Sequence, residues 1–455
     1  MSAPTPGPGP GPTPGPGSGP ARGAAPAPDG SGTRRRPSRR LVRVVTVVAS
    51  CLAVLAAAVV VGVRTLGQEP TVTLLANWTG DDARHLRDAV IAPFERAHRV
   101  HVDYQGSSAE SQVLSADVET GTPPDVVVLT GPGELADYAG RGQLHPVEDL
   151  LPAGAFGTSW ATPLHGHVYW FPLKADVKSL VWYPGGTAVP ELRRAAGRPD
   201  RWCVGLGSGA TSGWPGTDWV EDILLQQAGP RTYQRWARGL LPWQSKEVER
   251  AWRTWGRLVG AGHSPDLVAR ALKTGYQDAS KLLAGHPRQC TLEHQASFVR
   301  SYRPWKDAHG AYLPSAELIP GATARNTWEV SGDLVALLHD TPQARQLIRH
   351  LASADAQRAW NAKESGFSVS VAAQPAADPT GSWHRSLARE LLDTDAAHCF
   401  DASDAMPPPV RDAFTQATID FLADPRHLDA LLADLDSISS NEELTWLPSV
   451  CDRGT

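Results

Sequence analysis

Sulfur is scarce in this chain: its 455 residues hold two methionines and five cysteines. No two cysteines are spaced as a zinc-binding Cys-x-x-Cys pair. Also missing are a His-Glu-x-x-His helix, a Gly-x-Ser-x-Gly elbow and a phosphate loop ending in Gly-Lys-Ser or Gly-Lys-Thr. The glycine-rich stretch Gly205-Leu206-Gly207-Ser208-Gly209 lacks dinucleotide-binding spacing. Paired carboxylates of the glycosidase kind are too common a pattern to be excluded this way. No catalytic residue, cofactor or metal site is therefore assigned, and the chain reads as something other than an enzyme. A net charge of −5 makes no case for nucleic acid as a partner.

What is abundant is tryptophan, 16 residues against eight tyrosines and eight phenylalanines. Indole is large, flat and apolar with one donor at its edge, so it suits a core or a binding surface, and most of these are expected in the core. Residues 1–40 are a Pro/Gly-rich stretch ending in the cluster Arg34, Arg35, Arg36, Arg39 and Arg40. Such a segment buries too little apolar area to fold and is expected to be a disordered cytoplasmic tail. Residues 41–64 contain an uncharged apolar run, 44–63, long enough for a bilayer of about 30 Å. The arginines before it favour an N-inside, single-pass orientation in the cell membrane. Val48-Ala49-Ser50-Cys51 also fits a lipidation site, but the apolar run continues past Cys51, as a cleaved signal does not. The rest, 70–455, is then extracellular. Its four cysteines, Cys203, Cys290, Cys399 and Cys451, suit two disulfides in an oxidising compartment. Three pairings are possible, and the sequential one, Cys203–Cys290 with Cys399–Cys451, is the one expected. Closing the first loop is worth roughly 4–5 kcal/mol on a chain-entropy view.

The outer region opens with buried-strand patterns at 71–76 and 125–129 and an alternating strand at 100–104. Helices are expected between them, over 83–97 and 108–120, with Asp81 and Asp82 near the first cap. That order implies parallel crossovers in an α/β sheet, with ligands at the C-terminal strand ends. Trp78 and the Thr130-Gly131-Pro132-Gly133 loop are expected at that mouth. Two further strands are read over 169–176 and 179–183, an apolar segment over 330–338, and helices over 217–227, 251–258, 341–360, 409–422 and 425–435.

Several motifs in this order are familiar: ANWTG (76–80), GTPPDV (121–126), GPGEL (131–135), GQL (142–144), SGWPGTDWVED (212–222) and FDASDAMP (400–407). Over about residues 70–440 the chain resembles the extracellular solute-binding proteins of ABC importers. The resemblance is to their carbohydrate class, and within it to the α-glucoside-type binding proteins. It implies a type II periplasmic-binding-protein-like fold of two α/β lobes that close over a ligand by hinge motion. The partners implied are a carbohydrate and two permease subunits, with the protein itself a monomer. A pyranose has apolar faces and a hydroxyl rim, so such a site needs flat aromatics beside charged or amide groups.

The resemblance points to Trp78 and Asp81 after the first strand, with Asp81 alternatively a helix cap. It points to Asp176, with Lys174 assisting or merely paired to it. It further points to Trp214 and Trp219, one stacking on sugar and the other core, to Asp218 as hydroxyl acceptor or cap, to Phe298 lining the second lobe, and to Trp328, before the Val330 strand, lining the cleft. The sequence departs from the family between Tyr183 and Trp202, where a longer segment is usual, and at Glu364-Ser365-Gly366-Phe367. With the added anchor and tail, these departures leave a second reading: a sensor or scaffold ectodomain that has lost transport function.

Overall fold

The computed structural model of the protein describes residues 69–452, apart from 158–159, 286, 302–309, 362–366 and 374–382. The tail and anchor expected over 1–40 and 41–64, Cys51, and the departure at Glu364–Gly366 lie outside the described residues. Among the described residues no helix is long and apolar enough to cross a membrane.

Strands β1 (Thr71–Ala76), β2 (His101–Gly106) and β3 (Val126–Leu129) lie in the order β2-β1-β3 and are parallel, as the strand and helix pattern predicts. The first crossover is one helical stretch of three parts, Gly80–Leu86, a π-turn at Arg87–Ile91, and Ala92–His98. The second is the Glu110–Thr120 helix, stopped by Gly121 at φ 76°. The chain then adds β4 (Trp170–Val177), β5 (Leu180–Pro184), β6 (Glu293–His294), β7 (Gly310–Pro314), β8 (Thr327–Leu337) and β9 (Ala397–Phe400). β8 enters the first sheet antiparallel between β3 and β4, and its other end pairs with β9. β5 lies outside that sheet and is the centre of a second one, in the order β6-β5-β7. The long pair β4 and β8 thus belongs to both halves of a two-lobed α/β fold. Both strands are buried along their whole length, so polar side chains they carry, among them Lys174 and Asp176 on β4 and Glu329, Ser331 and Asp333 on β8, are buried with them.

The first lobe's core closes on Val72, Phe94, Val126, Val335, Leu347 and Trp360. In the second lobe the helices Trp214–Ala237, Lys246–Val259 and Pro408–Ala423 pack through aromatic rings. Trp243 meets Phe414 at 4.8 Å, and Trp252 meets Phe421 at 5.2 Å, both near edge-on. Such geometries favour the positive ring edge over the negative face. Twelve tryptophans are buried, so the excess of indole is mainly core material. Cys203 is bonded to Cys290 and Cys399 to Cys451, the sequential pairing.

Three details differ from the sequence reading. The helix expected over 341–360 is two, Pro342–Leu351 and Ala354–Asn361. The break falls where the Ser353 hydroxyl accepts from the Ala356 amide at 3.2 Å, since a capping serine competes with helix continuation. The helix expected over 217–227 begins earlier, at Trp214, and runs on to Ala237 through a kink where Gly229 has φ 78° before Pro230. The shortened segment after Tyr183 keeps a helix, Val189–Ala196, with Leu192 and Ala196 buried.

The Thr130–Gly133 loop is not an open mouth. It abuts the turn that includes Asp404, Ala405 and Met406. A Cβ on Gly133 would sit 2.1 Å from the Met406 carbonyl oxygen and 2.6 Å from that of Ala405. Gly133→Ala therefore forces two backbones apart. Overpacking of this kind costs about 1–3 kcal/mol, and a lowered unfolding midpoint is expected in thermal melts. Gly197→Ala serves as the control, because its Cβ meets nothing closer than 3.7 Å.

Candidate ligand-binding cleft

Alternation along β4 puts Lys174 and Asp176 on one face. Pairing with β8 sets Lys174 opposite Asp333 and Asp176 opposite Ser331, past an irregularity between Pro172 and Lys174. The Lys174 ammonium lies 3.1 Å from Asp176 and 3.8 Å from Asp333. All three groups are buried. Asn77, at the end of β1, donates to Asp333 at 2.7 Å. Ser297 donates to Asp176 at 2.7 Å while accepting from the Val177 amide at 3.1 Å. Burial by itself would lower the lysine's pKa. Asp176 and Asp333 outweigh it and hold the ammonium above the ordinary lysine range.

Beside this charged floor stand three half-buried rings. Trp214 opens its helix, Tyr276 opens the Tyr276–Ala284 helix, and Phe298 lies on the helical turn Ser297–Ser301. Trp214 is 4.9 Å from Tyr276 and 6.2 Å from Phe298. The Lys174 ammonium is 5.7 Å from the Phe298 ring, and that of Lys178 is 5.7 Å from the Trp214 ring. Lys178 follows β4 directly and is itself buried, bonded to Asp218 at 2.9 Å and to Asp401. A ligand with an apolar face and a polar rim meets both kinds of surface here.

Of the residues expected at the site, the structure brings together Lys174, Asp176, Trp214, Asp218 and Phe298. It places the other four elsewhere. Trp78 is buried against Trp360 at 4.6 Å. Its carbonyl, not its ring, is engaged by the Tyr104 hydroxyl at 2.7 Å. Trp219 is core, edge-on to Trp202 at 4.8 Å and stacked on His294 at 4.3 Å. Trp328 is buried in the larger of the two apolar clusters. The Asp81 side chain is 86% exposed and pairs with Arg84 one turn on. Neighbouring Asp82 is the one whose charge reaches Lys174. Sequence reasoning missed Asn77, Lys178, Asp333 and Tyr276. Asp333 carried a visible signal, an acid inside the apolar segment 330–338. Tyr276 carried none, since only the packing of its helix brings it to Trp214.

Glu110, the first residue of the Glu110–Thr120 helix, has its pKa raised to about 7, first by burial and then by Glu134 and Asp333. Its folded-state value exceeds its unfolded one. The neutral form therefore contributes stability that is intact below about pH 4.5 and is lost as the pH rises through about 7. Glu110→Gln is expected to flatten the fall in melting temperature over that window, as read by melts at stepped pH.

Two lobes sharing a strand pair, with buried charges and half-buried rings at the junction, define a binding protein of the two-lobed solute-receptor class. The family described as "Bacterial extracellular solute-binding protein" matches residues 80–358, and the chain belongs to it. Its relatives are substrate-binding proteins rather than enzymes. The chain is 33% identical to the alpha-glucosides-binding periplasmic protein AglE of Rhizobium meliloti (strain 1021), over 77% of this chain and 83% of that one. It is 32% identical to the osmoprotective compounds-binding protein GgtB of Synechocystis sp., over 62% and 72% respectively. Among solved structures, a chitin oligosaccharide binding protein superposes with TM-score 0.66 at 15% identity, over 83% of this chain and all of the other. The maltose-maltodextrin binding protein of Alicyclobacillus acidocaldarius gives 0.62 at 14%, over 82% and 100%. At such identities these two speak for the fold alone.

Proposed function

We propose that this protein captures a carbohydrate, an α-glucoside or short oligosaccharide, and presents it to an ABC permease. The observation that carries the reading is the set of half-buried rings Trp214, Tyr276 and Phe298 beside the buried Lys174–Asp176–Asp333 floor. Rings cover the apolar face of a pyranose, and fixed charges take its hydroxyls. Specificity then comes from leaving those buried groups unpaired when a wrong sugar enters. The names of the two curated relatives, one for alpha-glucosides and one for osmoprotective compounds, add support for small polar ligands. Trp214, Asp176, Lys174 and Phe298 are the ligand contacts in this reading, with Asp218 acting through Lys178.

The test is a titration of the protein with maltose, trehalose, sucrose and monosaccharides, followed by tryptophan fluorescence and melting temperature. A ligand that binds only the native state adds about 2.7 kcal/mol of stability at 100 times its Kd. One sugar is expected to give a saturable shift, weakened at least about tenfold by Trp214→Ala, a loss of about 1.4 kcal/mol. No shift with any sugar at millimolar concentration overturns import of a sugar and favours the sensor or scaffold reading.

The second part of the proposal is a tether: residues 44–63 span the membrane, residues 1–40 stay inside, and the receptor works at the outer face as a monomer. Protease added to intact cells is expected to digest the receptor and spare a short membrane-bound N-terminal fragment. Release of intact protein into the medium overturns the tether.

A further inference from the structure

Behind Lys178 lies a cluster of acids that ligand capture does not use. Glu221 comes from the Trp214–Ala237 helix, Glu329 from β8, and Asp401 from the residue after β9. Their exposures are 0%, 0% and 1%. One carboxylate oxygen from each lies within 4.8 Å of the other two.

Asp401 is fully engaged, its Oδ1 accepting from the Ser403 hydroxyl and the Asp404 amide, each at 2.8 Å, and its Oδ2 from Lys178, but the bonding around the other two is incomplete. Glu221 uses one oxygen, Oε2, to accept from the Ala402 amide at 2.6 Å and the Tyr233 hydroxyl at 3.4 Å. Its Oε1 has no partner. Glu329 is wholly buried, yet neither of its oxygens has a hydrogen-bond partner. The ammonium next to the cluster, Lys178, is already shared between Asp218 and Asp401. Two buried carboxylates are therefore left without a cationic partner, and a buried carboxylate must be paired, bound to a metal or neutralised by a proton.

We propose that Glu221, Glu329 and Asp401 bind a calcium ion at the base of the second lobe. Two positive charges match the two uncompensated carboxylates. The donors are all oxygen, which selects a hard cation over zinc. Calcium takes oxygens at about 2.3–2.6 Å, so ligands on opposite sides of it are about 4.8 Å apart, and all three donors here can reach one ion. Magnesium is less suited: it demands a near-ideal octahedron at about 2.0–2.1 Å, whereas calcium accepts irregular oxygen geometry. The ion would join β8, the exit of β9 and the long helix, all of which meet next to Lys178. It is a structural ion, bound as the protein folds. Sequence reading assigned no metal, because the three ligands are spread over 181 residues with no local motif.

The experiment uses the full-length chain in mild detergent, unfolded and refolded with either calcium or the chelator EGTA. Elemental analysis is expected to find one calcium per chain after dialysis. The melting temperature in calcium should exceed that in EGTA by at least about 3 °C, and magnesium should not replace calcium. Glu329→Gln should abolish both the bound calcium and the shift. In EGTA this variant should melt no lower than the wild type, because it removes an unpaired charge; that comparison separates loss of the ion from a failure to fold. Equal melting in calcium and EGTA with no metal retained overturns the proposal and assigns the neutralisation to protons. Calcium that stays bound in Glu329→Gln places the ion elsewhere and overturns it too.

Discussion

The antiparallel pairing of β4 with β8 is the contact on which the rest of the molecule depends. It completes the first lobe's sheet, since β8 is the bridge between β3 and β4. It also sets the register that faces Lys174 with Asp333 and Asp176 with Ser331. A slip of one residue would turn every side chain of β4 to the opposite face. Both strands then continue towards the second lobe, β4 through Lys178 and Ser179 into β5, and β8 through its pairing with β9.

That continuity gives the junction a repeated design. Lys174 and Lys178 are four residues apart, each is buried, each meets two aspartates, and each lies 5.7 Å from one aromatic ring. Such groups are poor sources of net stability, because desolvation offsets most of their attraction. Their value lies in rigidity. Ser297 and Asn77 fix the aspartates, the aspartates fix the lysines, and polar atoms are in place before any ligand arrives.

The architecture was largely legible in the sequence. Period-two and buried-run patterns located β1, β2 and β3, and their spacing by helices implied parallel crossovers. The Lys174–Asp176 pair was legible through the family resemblance, which points to Asp176 with Lys174 assisting or paired to it. The tryptophans were where reading failed. Trp78 and Trp219 sit in motifs beside strand and helix ends, where local sequence does not distinguish a ring turned to the cleft from one turned inward. The deciding neighbours, Trp360 for one and Trp202 with His294 for the other, are remote in the chain or contributed by another element. Asp81 and Asp82 illustrate the same limit at finer scale: adjacent residues on a helix point about 100° apart, and one residue of phase decides which meets solvent.

The two disulfides have a consequence for how the halves of the molecule age. Cys203–Cys290 and Cys399–Cys451 both close loops of chain that follow β1, β2 and β3. The first lobe contains no cysteine. A reductant can therefore loosen one half by removing its covalent loops while the other has nothing to lose. Capture needs both halves, so the chemistry of the surrounding medium acts on the receptor through only one of them.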